Sequence, residues 1–218
     1  EAYDNYWDFA QPGLHNDTFE VVVDGDRSGG PLIAEQHPDK FADSDAGFFT
    51  FQGVQAQNYH IFTPAQGKDW CMAWGPEQWV KQLPYANHAQ QYRFRPGQPG
   101  HYVLEFWITP CDYAGAEGPP RAVESVLKPD KIIGLSFALI DYDGVNSGGT
   151  NNGFWNLSRH HTMYGQADYL CAFKLMPLEP QFVKPIEARW SFKVVDMARR
   201  LVAFKDESVG NITSWHWD

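Results

Sequence analysis

The strand-like run Phe19–Val23 leads into Asp24-Gly25-Asp26-Arg27-Ser28-Gly29-Gly30. Carboxylates at alternate positions, followed by a hydroxyl and a glycine turn, can wrap a hard cation such as calcium in oxygen ligands. Glu35 stands where a twelve-residue calcium loop places its closing acidic ligand. The same letters read as a hairpin turn, since Asp-Gly and Gly-Gly are ordinary turn pairs, and a strand before the loop where a calcium loop has a helix favours the turn. A second Asp-x-Asp, Asp141-Tyr142-Asp143, is followed by Ser147-Gly148-Gly149. The calcium candidates are therefore Asp24, Asp26, Ser28, Glu35, Asp141 and Asp143, and two such loops at one end of a sandwich would share an ion.

Tryptophan is the other chemistry-bearing feature, with nine Trp beside ten Tyr and fifteen Phe in 218 residues. Trp70, Trp74 and Trp79 fall in one polar segment containing Gly and Pro, and Trp155 follows Asn151-Asn152-Gly153. The apolar face of a pyranose stacks on an indole while rim groups fix its hydroxyls. Glu77, Gln78, Arg93, Asn152 and Asn156 are the candidate rim groups. The opposing reading is that Trp74 and Trp79 close a loop onto the core.

Acid–base pairs are also conceivable. Tyr59 with His60, and Tyr164 with His160 or His161, could serve a polysaccharide lyase. No feature pairs two carboxylates across a cleft for glycoside hydrolysis. A phosphate loop, a nucleophile elbow and zinc-ligand spacing are all missing from the sequence.

The formal net charge of −10 argues against nucleic acid or an anionic membrane as partner. Hydrophobic residues make up 43%, as in a globular chain. No apolar run is long enough for a membrane helix. Cys71, Cys111 and Cys171 read best as buried free thiols. Sequons begin at Asn16, Asn156 and Asn211 and matter only in a eukaryotic secretory protein. The opening Glu1-Ala2-Tyr3-Asp4 resembles the end of a strand, so the chain is expected to be a piece of a secreted or cell-surface protein.

The elements that must position these residues are strands. Runs recur between Gly, Pro, Asn and Asp clusters, which predicts an all-β, jelly-roll-like antiparallel sandwich. The clearest are Thr18–Val23, Phe48–Gln52, Tyr59–Phe62, Gln91–Phe94, Tyr102–Thr109, Ile132–Ile140 and Ala172–Leu175, with a short helical turn at Glu77–Val80. In Tyr102–Thr109, Val103, Glu105 and Trp107 alternate with Leu104, Phe106 and Ile108, predicting one mixed face and one core face. Residues 1–178 form the expected sandwich, 179–188 a proline-marked linker, and 189–218 the start of a further module.

Two segments resemble known families. His15-Asn16-Asp17-Thr18-Phe19-Glu20-Val21-Val22-Val23-Asp24, with Ile133–Asp143 and Gly153-Phe154-Trp155 downstream, is similar to carbohydrate-binding module family 9-like (DOMON-type) sandwiches. That resemblance implies a β-sandwich with bound calcium, and a sugar end clamped between two Trp with Asn, Gln, Glu and Arg around it. Trp155 with Asn152 matches one half of the clamp, and Trp70 or Trp74 with Glu77 the other. Leu201–Asp218 resembles the opening of an immunoglobulin-like PKD repeat, a spacer in secreted multi-module proteins.

The leading expectation is non-catalytic binding of a poly- or oligosaccharide, with covalently linked neighbouring domains and no membrane insertion. The alternatives are a jelly-roll polysaccharide lyase or other glycan-active enzyme, and a building block of a surface layer or filament.

Overall fold

The computed structural model describes residues 17–37, 44–63, 69–93, 100–142, 153–179, 187–210, 212 and 214. Two units are distinguished, Glu1–Leu175 and Met176–Asp218. In the first, β1 (Thr18–Asp24), β2 (Gln57–Phe62), β3 (Cys71–Ala73), β4 (Ala86–Arg93) and β5 (His101–Ile108) precede β6 (Cys111–Tyr113) and β7 (Val123–Glu124). Then come β8 (Ile132–Asp141), β9 (Gly153–Asn156) and β10 (Cys171–Lys174).

The main sheet runs β10-β8-β1-β2-β3, and β9 pairs with β8 as well. β10 takes the start of β8, at Ile132–Leu135, and β9 its end, at Ala138–Asp141. β4 and β5 pair as a separate antiparallel ribbon, and so do β6 and β7. The fold is an all-β antiparallel sandwich.

The β-branched run of β1 favours a strand, and its alternation assigns each residue a face. Val21 and Val23 join Tyr59, Ile61, Cys71 and Ala73 in one core cluster. Leu104, Phe106 and Ile108 of β5 pack onto it, while Val103, Glu105 and Trp107 point to solvent. Val22 and Ala138 face the other way and join Leu32, Ile33, Met163 and Leu170.

This second face is covered by loop and 3-10 turns rather than by strands. The cover is tied down by Leu32 N–H to Gly165 O at 2.9 Å and Ala167 N–H to Gly30 O at 2.8 Å. Ser158 Oγ donates to Tyr169 O, and Ser158 N–H to Ser136 Oγ on the sheet.

One expected strand is a helix. Phe48–Gln52 falls in α1 (Ser44–Thr50) and the turn after it. The run Phe48-Phe49-Thr50-Phe51 has strand-like composition. Helical closure wins locally: Phe51 N–H reaches Gly47 O at 3.1 Å and Thr50 Oγ1 reaches Ala46 O at 2.6 Å. Glu77–Val80 largely coincides with a 3-10 turn, Gln78–Lys81. No helix among the described residues is long and apolar enough to cross a membrane. Cys71 and Cys111 are buried free thiols, and Cys171 is half-buried and free.

The second unit contains a hairpin of β11 (Trp190–Asp196) and β12 (Leu201–Asp206). Phe192 pairs with Phe204 and Val194 with Val202, and a bulge follows Val194. Trp190, Phe192 and Phe204 cluster on this hairpin and are exposed.

Candidate functional site

Glu20 on β1 sits directly opposite His60 on β2, on the sheet face turned away from the β4–β5 ribbon. Asn58 lies two residues before His60 and shares that face. All three are buried in mid-sheet, where polar side chains need partners. Glu20 Oε1 supplies two of them: Asn58 Nδ2 donates to it at 2.7 Å, and His60 Nε2 lies 3.2 Å away. Asn58 Nδ2 also reaches Tyr164 O at 3.4 Å, which links the polar group to the cover.

This trio forms part of the wall of a cavity of about 270 Å³. Trp74, immediately after β3, stacks on His60 with ring centres 5.5 Å apart and planes 23° from parallel. Its position is fixed by Trp74 N–H donating to Asn58 O at 2.8 Å. Across the cavity Phe154, His161 and Tyr164 form an aromatic group, with Phe154 4.6 Å from His161 edge-on. Ile140 and Tyr142 complete the described lining.

The polar chemistry of the cavity is one-sided. Glu20 Oε2, Asn58 Oδ1 and His60 Nδ1 are buried without a hydrogen-bond partner among the described residues. With Nε2–H turned to Glu20, Nδ1 of a neutral imidazole is an acceptor. With His60 in that form all three buried atoms are acceptors, each costly to leave unpaired.

Of the four tryptophans expected at a sugar site, the structure brings only Trp74 to this cavity. Trp70 stacks on His88 at 4.6 Å and donates Nε1–H to Lys81 O. Trp79 donates Nε1–H to Gly115 O at 2.9 Å and meets Tyr85 edge-on. Both rings pack against the inter-sheet core. Trp155 is exposed on β9, opposite Leu139, while its neighbour Phe154 turns into the cavity. Successive strand residues face opposite sides, so Trp74 and Trp155 lie on opposite faces of the sheet. The expected two-tryptophan clamp does not assemble.

The rim candidates also disperse. Arg93 is exposed at the end of the β4–β5 ribbon. Asn156 Nδ2 is spent on the backbone oxygens of Ser158 and His160, at 2.7 and 2.9 Å. Gln78 Nε2 is bonded to Ala73 O and Gly75 O. Asn152 and Asp143 lie outside the described residues.

Glu77 is fully buried, and neither carboxyl oxygen bonds to another described residue. It is wedged against two glycines: a Cβ on Gly53 would fall 2.1 Å from Oε1, and one on Gly75 2.2 Å from Oε2. Burial pushes this carboxyl up to about 8, against its own amide N–H, which favours the charged form.

The calcium candidates separate. Asp24 Oδ2 accepts from Gly29 N–H and Asp26 Oδ1 from Ser28 N–H, both at 2.9 Å, so these carboxylates build the turn itself. Burial raises the Asp24 carboxyl above its ordinary range. Glu35 is exposed on a separate 3-10 turn. β1 and β8 are antiparallel, with Asp24 beside Gly134 and Thr18 beside Ile140. Asp24 and Asp141 therefore lie at opposite ends of the sheet, roughly 20 Å apart at about 3.3 Å per residue, and cannot share an ion. Among the described residues, no three His, Cys, Asp or Glu side chains group as a metal site.

Three cavity residues were marked in the sequence as acid–base candidates: His60, His161 and Tyr164. Tyr59 is not with them, because it points into the inter-sheet core. Glu20 and Asn58 were missed. Glu20 is a polar residue at an inward position of an otherwise apolar run, whereas Asn58 stands in the polar stretch Gln57–His60, where nothing singles it out.

No family model matches the sequence, and no curated protein matches it. Two solved structures are similar in fold. One is a carbohydrate-binding module family 9 (CBM9) from Caldicellulosiruptor kristjanssonii in complex with cellotriose, 13% identical with a TM-score of 0.47, covering 85% of this chain and 71% of that one. The other is a CBM9 from the same organism in complex with glucose, 12% identical with a TM-score of 0.48, covering 82% of this chain and 69% of that one. Likeness at this level carries no argument about a ligand.

Proposed function

We propose that the cavity on the second face of the main sheet binds a carbohydrate without transforming it, as part of a larger secreted or cell-surface protein. The observation that carries this reading is the pairing of the Trp74 ring with three acceptors that have no partner among the described residues, Glu20 Oε2, Asn58 Oδ1 and His60 Nδ1. A pyranose offers what both need: an apolar ring face for the indole and several O–H donors for the acceptors. The volume suits one sugar unit at a chain end rather than a long chain laid across a groove.

Titration with a panel of neutral mono- and disaccharides, followed by calorimetry and tryptophan fluorescence, tests the reading. A saturable heat that is lost in Trp74→Ala and retained in Trp155→Ala supports it. No response to any sugar refutes it.

A catalytic reading has one observation in its favour: His60, His161 and Tyr164 share the cavity with Glu20. As a lyase the protein would raise ultraviolet absorbance with a uronate polymer, and a flat trace removes that reading. Calcium at the Asp24–Asp26 turn is a separate proposal, supported by the buried Asp24 Oδ1, which has no hydrogen-bond partner among the described residues. An unfolding midpoint that is equal in chelator and in calcium refutes it.

A further inference from the structure

We infer that this cavity prefers a sugar carrying a protonated amine, such as a 2-amino sugar, over the neutral sugar of the same shape; the inference rests on the carbohydrate reading above. It begins from the charge state of the wall. Glu20 is 1% exposed, and its hydrogen-bond and ion-pair partners are Asn58, which is neutral, and His60, which is charged only when protonated. No Lys or Arg is among the described lining residues, whose other titratable groups are His161, Tyr142 and Tyr164. A buried carboxylate without a full cation beside it is costly, and an arriving positive charge relieves that cost.

The free atoms fit such a ligand. An ammonium carries N–H donors and no acceptor, and Glu20 Oε2, Asn58 Oδ1 and His60 Nδ1 have no hydrogen-bond partner among the described residues. Trp74, Phe154 and Tyr164 add aromatic rings, whose faces attract a cation. A uronic acid inverts every one of these terms: its carboxylate brings acceptors to acceptors and a negative charge to Glu20.

The experiment measures affinities of the full chain for glucose, glucosamine, N-acetylglucosamine and glucuronic acid by calorimetry at about pH 7. Glucosamine is expected to bind at least about tenfold tighter than glucose or its N-acetyl form, as expected for a hydrogen-bonded charge pair sheltered from water. Glucuronic acid is expected to bind weakest. In Glu20→Gln the ratio of glucosamine to glucose affinity should fall to about one.

Glucose and glucosamine binding equally overturns the preference and leaves the carbohydrate reading standing. Binding of none of the four overturns the carbohydrate reading itself. If Glu20→Gln does not fold, the ratio of glucosamine to N-acetylglucosamine affinity in the unaltered protein decides, because acetylation removes the charge and keeps the ring.

Discussion

Replacing Glu77 by Gln should change how the stability of this protein depends on pH. The carboxyl is fully buried between Gly53 and Gly75, and burial raises it from an ordinary 4.5 to about 8. In the unfolded chain it ionises near its ordinary value, so between those limits the folded state holds a proton that the unfolded state has released. Stability from this group is complete below about pH 4.5, falls as pH rises, and is exhausted above about pH 8. The slope is about 1.4 kcal/mol per pH unit, and the whole interval amounts to about 5 kcal/mol.

Glutamine keeps the shape of the neutral acid and cannot ionise. Glu77→Gln should match the unaltered protein near pH 4.5 and exceed it by several kcal/mol at about pH 8. Urea unfolding at a series of pH values measures this directly, provided the dependence on denaturant is the same in both proteins. Parallel stability curves for the two proteins would show that the carboxyl is hydrated or paired in solution, and the reasoning would fail.

Two further outcomes follow from burial. Gly75→Ala should destabilise by about 1–3 kcal/mol, as overpacking does, because its Cβ would fall 2.2 Å from Glu77 Oε2 and 2.7 Å from Gln52 O. Matching stability in a urea series would mean the cradle has slack. Cys71 and Cys111 should resist a thiol reagent until the protein unfolds, since both are buried and burial raises both thiols, Cys111 to about 11. Two thiols reacting at the rate of a free peptide cysteine would contradict that.

The strands were legible where period-two alternation marked two faces, as in β5, or where β-branched and apolar residues ran together, as in β1 and β8. Phe48–Gln52 misled because its composition favours a strand, whereas a helix depends on backbone closure that no residue type announces. Trp70 and Trp79 misled for a related reason. Their indole N–H groups bond to the backbone oxygens of Lys81 and Gly115, partners eleven and thirty-six residues away. The clamp between Trp74 and Trp155 failed on parity, since Phe154 takes the inward position of β9 that would have been needed for Trp155. Glu20 and Asn58 depend on cross-strand register: only the alignment of Glu20 with His60 brings residue 20 beside residues 58 and 60.

That alignment places the proposed binding wall inside the load of the fold. Glu20, Asn58 and His60 are spaced along the two most enclosed strands of the sheet, not carried on loops that could vary around an indifferent scaffold. Their polar atoms stand where apolar side chains would seal the second core, so replacing them with well-packed aliphatic residues should yield a tougher protein and, on the proposed function, one that no longer binds sugar. Affinity and robustness are opposed here at the same three positions. Any attempt to retune the pocket has to be screened for folding and for binding together.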